Sequence, residues 1–130
     1  MQETLFEIKQ EGIFSKYPSD IPYEEMKDSY LGKDYELSLV FCSKKTMKKL
    51  NKKTRQKDYA TNILSFPLSE ESGEMFICLP VCKKQFKKFN RSFDNFIAFL
   101  FIHGLVHLNG HDHGDTMDNE EENLRKKFSI

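Results

Sequence analysis

All four histidines of this 130-residue chain, His103, His107, His111 and His113, fall within eleven consecutive positions. Imidazole is the commonest protein metal ligand and the usual acid–base group near neutral pH, so the cluster calls for a chemical reading. His103 and His107 are four apart. A helix turns about 400° over that step, so both rings leave one face, one turn apart, a spacing that suits a single metal ion. His113 comes six residues after His107, where continued helix would carry it about 240° round and away. Asn109-Gly110 supplies an exit, because glycine tolerates the left-handed conformation that ends helices and lets the chain bring His113 back to the same ion. His111 is the rival third ligand, since one more turn would align it with His107. Gly110 argues against that turn, so His103, His107 and His113 form the preferred set, with His111 beside a ligand or facing solvent. The competing reading, ordinary buried histidines satisfied by hydrogen bonds, suits a lone histidine better than a cluster of four.

Three imidazoles without cysteine match catalytic zinc sites, which keep a coordination position open for water, better than closed structural sites. Zinc so held stays Lewis acidic and brings its bound water to a pKa of about 7, which makes hydrolysis the natural reaction. Nickel, cobalt or copper would also accept these ligands. The peptidase motif H-E-x-x-H places its glutamate base directly after the first histidine; Gly104 stands there, so a peptidase would need a glutamate from elsewhere in the fold. A phosphodiester fits better. Arg55 is the one arginine among seven lysines between Lys44 and Lys57, and a guanidinium can grip a phosphate through two parallel bonds. No general base is evident. Asp112 and Asp115 are the nearest carboxylates, and Asp112 equally suits holding a ligand imidazole by its second nitrogen.

The formal net charge of zero conceals segregation. Residues 1–43 carry four basic and nine acidic side chains, residues 44–91 thirteen and four, and residues 92–130 three and seven. The basic middle could lie along the phosphates of a nucleic acid, with Lys48, Lys52 and Arg55 as contacts; a solvated lysine face would show the same pattern.

The elements that must position these residues follow from periodicity and capping. Leu5 to Ile8 alternates like a first strand, and Tyr23, Met26, Tyr30 and Leu31 have helical spacing, with Ser19-Asp20 as a cap and an end near Gly32. Tyr35 to Cys42 reads as a strand with Leu37, Leu39 and Phe41 on one face. Ser43 caps a helix from Lys44 to about Arg55 whose apolar stripe is only Met47 and Leu50. Asn62 to Leu68 is a strand that Pro67 confines to a sheet edge. After a loop from Ser69 to Gly73, Glu74 to Leu79 is apolar on both faces, as in a central strand. Val81 to Asn90 is a lysine-rich helix with Val81, Phe86 and Phe89 inward. Ser92 caps the histidine helix, which is apolar all round and therefore central to the core, with Gly104 allowing close approach by a strand or substrate. A last amphipathic helix follows Asp115, anchored by Met117, Leu124 and Phe128.

The chain length suits one domain, residues 1–130. The longest apolar run, Phe96 to Leu108, is thirteen residues broken by two histidines, short of the roughly 20 needed to span a bilayer. The N-terminus lacks the basic start and apolar block of a signal peptide, and three cysteines fit a reducing compartment. Cys78 and Cys82 are read as core residues. A cytoplasmic protein without membrane association is expected.

Three blocks in order carry a resemblance to a known family: LNKKTRQKDYATNILSFPL from Leu50, GEMFICLPV from Gly73, and HGLVHLNGHDH from His103. The last matches H-G-x-L-H-L-x-G-x-D-H except for Val106. The sequence resembles the YbeY proteins, bacterial metal-dependent endoribonucleases of ribosomal RNA maturation. The resemblance implies zinc on His103, His107 and His113, a functional role for Arg55, and single-stranded or ribosomal RNA as substrate, with small-subunit ribosomal proteins as partners. It supports an α+β fold, a small mixed sheet covered by helices with the histidine helix buried centrally. His111 stands where the family has tyrosine, Glu74 replaces an aspartate, and the region before Tyr35 is short. The rival function is a ribosome assembly factor that does not cut and carries zinc for structure.

Overall fold

The computed structural model describes residues 5–12, 16–110 and 114–130. In chain order the elements are β1 Phe6–Gln10, α1 Tyr23–Tyr30, β2 Glu36–Cys42, α2 Lys44–Arg55, β3 Ile63–Ser69, β4 Ser72–Cys78, α3 Leu79–Gln85, a 3-10 turn Phe86–Phe89, α4 Phe93–Leu108 and α5 Asp115–Phe128. The strands form one mixed sheet in the order β1-β2-β4-β3, with β3 antiparallel to β4 and the other pairs parallel. This is the α+β architecture expected. Pro67 lies on β3, at the sheet edge, where a missing backbone donor costs least.

The sheet has two differently covered faces. Leu37, Leu39 and Phe41 of β2 stand in register with Gly73, Met75 and Ile77 of β4. The apolar side chains among these pack in the main core with Phe96, Ile97, Phe101 and Leu105 of α4. The opposite face holds a smaller cluster of Cys42, Met47, Leu64 and Cys78, flanked by Val40 and Phe76. Met47 is the α2 residue buried there, so α2 and α4 lie on opposite sides of the sheet. Cys42, Cys78 and Cys82 are all buried thiols, as core residues should be.

Gly104 touches strands: a Cβ there would sit 2.5 Å from Met75 Cε and 3.0 Å from Ser65 Oγ. The absent side chain lets α4 lie tightly on β3 and β4.

Several expectations need correction. Helix α1 begins after Pro22 without a side-chain cap, so Ser19-Asp20 does not cap it; Glu24 and Glu25 in its first turn complement the helix dipole instead. The Ser69–Gly73 loop shrinks to two residues between β3 and β4, closed by the Ser69 and Ser72 hydroxyls at 2.7 Å and by the Glu71 N–H donating to Ser69 Oγ. The helix over 81–90 is two pieces, α3 and the 3-10 turn. Leu79 and Cys82 are its buried residues, whereas Phe89 is 46% exposed. Prolines are favoured in a first helical turn, and Pro80 at the start of α3 shifts the helix, and hence its inward face, toward the N-terminus.

Candidate active site

Ser92 Oγ accepts a hydrogen bond from the Asn95 N–H at 3.1 Å, capping α4, and Asp94 sits in its first turn. From that start, sixteen helical residues deliver His103 and His107 one turn apart. Their rings are nearly parallel, at 5° with centroids 6.4 Å apart. The helix ends at Leu108, and Gly110 adopts φ +86° with its N–H on the His107 carbonyl. The glycine therefore ends the helix as its conformational freedom suggests. His111, Asp112 and His113 lie outside the described residues. Among the described residues no three His, Cys, Asp or Glu side chains converge on a metal position.

A residue the sequence reading passed over completes the histidine pair. Glu121 of α5 is 7% exposed and places Oε1 2.6 Å from His103 Nδ1. A carboxylate there accepts a hydrogen bond from Nδ1–H and leaves Nε2 as the nitrogen bearing the lone pair, the usual orientation of a metal-ligating imidazole. The signal was present. Met117, Glu121, Leu124 and Phe128 fall at i, i+4, i+7 and i+11, so Glu121 is a carboxylate on an otherwise apolar stripe.

Arg55 arrives from the other face of the sheet. Helix α2 is capped by Ser43, whose Oγ accepts from the Thr46 N–H at 3.2 Å, and it stops at Arg55 because Gln56 turns left-handed at φ +57°. Buried Asn51 then holds the following loop, its side-chain Nδ2 donating to the Tyr59 carbonyl at 2.9 Å and its backbone carbonyl accepting from the Lys57 N–H. The α2 terminus and the α4 histidines meet around the free edge of the sheet. There Thr54, Arg55, His103 and His107 share a cavity of about 560 Å³ with Ile63, Leu64, Ser65 and Phe66 of β3. One guanidinium side chain thus shares a cavity with two imidazoles beside an edge strand.

The other basic residues named from the sequence are not gathered here. Lys48 lies 3.8 Å from Asp58 and lines a separate groove, and exposed Lys52 does not line the histidine cavity. For a peptidase, Glu121 is the carboxylate that the fold brings nearest His103 among the described residues, but it is bound to the ring and does not line the cavity. Position 104 has no room for a glutamate.

The donor chemistry suits half a metal site: two parallel imidazoles, one with its tautomer set by a buried carboxylate. No helix is long and apolar enough to cross a membrane among the described residues.

Comparison with known proteins gives one consistent result. A family model described as Endoribonuclease YbeY matches residues 6–129. A protein of that name from Alkaliphilus metalliredigens is 37% identical over 108 residues, covering 75% of this chain and 68% of the relative. One from Staphylococcus carnosus is 33% identical, covering 80% and 76%, and one from Methylobacillus flagellatus is 30% identical, covering 100% and 89%. The solution structure of TM1509 from Thermotoga maritima superposes with a TM-score of 0.65 at 23% identity, covering 95% of this chain and 91% of that one, which establishes the shared fold.

Proposed function

The chain belongs to the Endoribonuclease YbeY family, and from that premise we propose that it is a metal-dependent endoribonuclease cutting single-stranded RNA in the cytoplasm. Its substrate is ribosomal RNA during maturation and quality control of the ribosome. The observation that carries the reading is the shared cavity: Arg55 and the His103–His107 pair come together across forty-eight residues of sequence.

Zinc, or another divalent ion, would be held by His103, His107 and His113, and when bound it supplies a Lewis acid for a phosphoryl oxygen and a hydroxide at neutral pH. The protein's own groups do the rest. Glu121 keeps the His103 ring turned with Nε2 outward. Arg55 offers parallel N–H donors to the nonbridging oxygens of the scissile or adjacent phosphate, where negative charge builds as the bond breaks. Asn51 and the left-handed Gln56 hold Arg55 at the mouth, and β3 forms one wall. The cavity falls within the range of small-ligand pockets and suits one nucleotide with its phosphates.

Single-turnover cleavage of single-stranded RNA tests this, using metal-loaded wild type and folded Arg55→Ala and His103→Ala variants. Both substitutions should abolish most cleavage. Equal cleavage by all three proteins would identify a contaminating nuclease and overturn the reading. Tight RNA binding by a wild type that cuts nothing would favour an assembly factor with a structural metal.

A further inference from the structure

Helix α2 has a second chemistry at its other end. Lys44, Lys45 and Lys48 on its first turns face Lys84 of α3 and Lys88 of the 3-10 turn across a groove of about 770 Å³, with Tyr59 in the wall. Among the described residues, Asp58 is the one carboxylate lining it. The groove is separate from the histidine cavity, and the two have no lining residue in common among the described residues. Its lysines are not merely numerous. Lys44 of α2 and Lys84 of α3 line it from two helices, and the neighbouring Lys84 charge pushes the Lys44 pKa below the ordinary lysine value, so like charges are gathered at one place, an arrangement that a bound anion relieves.

Two further features indicate which anion. Tyr59 is 52% exposed, while its backbone carbonyl is held by buried Asn51, so an aromatic face is presented to solvent from a fixed position. Cationic grooves with aromatic platforms bind single-stranded nucleic acid: lysines follow the phosphates and a ring stacks on a base whatever its identity. The groove also adjoins the proposed active site through one rigid element. Lys44 and Arg55 are the first and last residues of α2, about 16 Å apart along its axis. The loop carrying Tyr59 joins Arg55 to β3, so one strand could pass from cavity to groove over a continuous surface.

We infer that this groove binds single-stranded RNA flanking the cleavage position, with phosphates at Lys44 and Lys84 and a base on Tyr59; the inference rests on the endoribonuclease reading and extends it to substrate length. RNA reaching only the cavity would forgo these contacts, and longer RNA would bind more tightly.

The test uses the full chain, metal-loaded, as wild type, as the Lys44→Glu/Lys84→Glu double variant and as Tyr59→Ala. All three altered positions are exposed, so the fold should survive, checked by circular dichroism. Fluorescence anisotropy measures binding of phosphorothioate RNA, which keeps the backbone charge and slows attack of a metal-bound hydroxide at each phosphate, in lengths of about 4 and about 12 nucleotides, bracketing common single-strand sites. For the longer RNA, the double variant should weaken binding at least about tenfold and reduce the slope of log affinity against log salt by about 1.4, two phosphate contacts at about 0.7 each. Tyr59→Ala should weaken it about tenfold at unchanged slope. The shorter RNA should bind all three proteins alike, and an unmodified version should be cut alike. Unchanged affinity and slope for the longer RNA would overturn the inference, as would equal weakening for both lengths. So would a polyglutamate peptide that binds the groove more tightly than RNA, which would mark it as a site for an acidic protein. If wild type cuts neither RNA yet binds the longer one through these lysines, the groove stands and the nuclease reading fails. Cleavage of both lengths without influence from the variants would sink the groove alone.

Discussion

The Glu121 carboxylate lies 2.6 Å from His103 Nδ1 and joins α5 to α4. The pairing fixes one of the two imidazoles from behind. It also explains how a glutamate can stay buried on a core-facing stripe, since a buried carboxylate without such a partner would be strongly disfavoured.

Replacing Glu121 by glutamine should weaken divalent metal binding about 10- to 100-fold, the usual effect of losing a carboxylate behind a ligating histidine. Chelator competition followed by elemental analysis would measure it. Circular dichroism should show an unchanged fold, and undiminished metal affinity would remove Glu121 from the site.

Arg55→Ala should lower single-turnover RNA cleavage by about 10² or more, as for a donor aimed at developing negative charge. Arg55→Lys should restore only part of that rate, because an ammonium cannot make the paired planar contact. Arg55 is exposed, so the urea midpoint should barely move; full rescue by lysine would show that charge alone suffices.

Gly104→Ala tests the helix–sheet contact. The added methyl would meet Met75, which is fully buried and has little room to retreat, and Ser65 at 3.0 Å. Overpacking of this kind costs about 1–3 kcal/mol, readable in urea unfolding. No loss of stability would mean that α4 can lift off β3 and β4 freely.

Tyr23 should make the protein sensitive to alkali. Burial first, then Tyr17 and Asp94, push its pKa well above the ordinary tyrosine value, so the folded chain keeps the phenol neutral, donating to the Pro18 carbonyl at 2.7 Å. An unfolded tyrosine ionises near pH 10. The stability so contributed is complete below about pH 10 and lost progressively as pH rises above it. Urea midpoints between pH 8 and about 11 should fall, and Tyr23→Phe should flatten part of that fall. Tyr35, also raised by burial, accounts for a remainder.

Local order was legible wherever one element settles it. The four-residue step between His103 and His107, the helix end at Gly110, the Ser43 and Ser92 caps and the alternation of Leu37, Leu39 and Phe41 depend only on helix and strand geometry and on short-range hydrogen bonds, and all of these are found. Boundaries failed where neighbours compete: Phe89 has helical spacing for the core but stacks outward on Phe96, at 4.8 Å. The site itself was half legible. Two imidazoles share a face because one helix carries them, and that much needs no partner. Arg55 meets them because α2 and α4 cover opposite faces of the sheet and converge past β3, and Glu121 meets His103 because α5 packs on α4. Lys48 turns away on the same helix that presents Arg55. Sequence spacing determines which side chains share an element's face. Which faces then meet depends on the joint burial of apolar surface over the whole chain, and only the tertiary structure decides that.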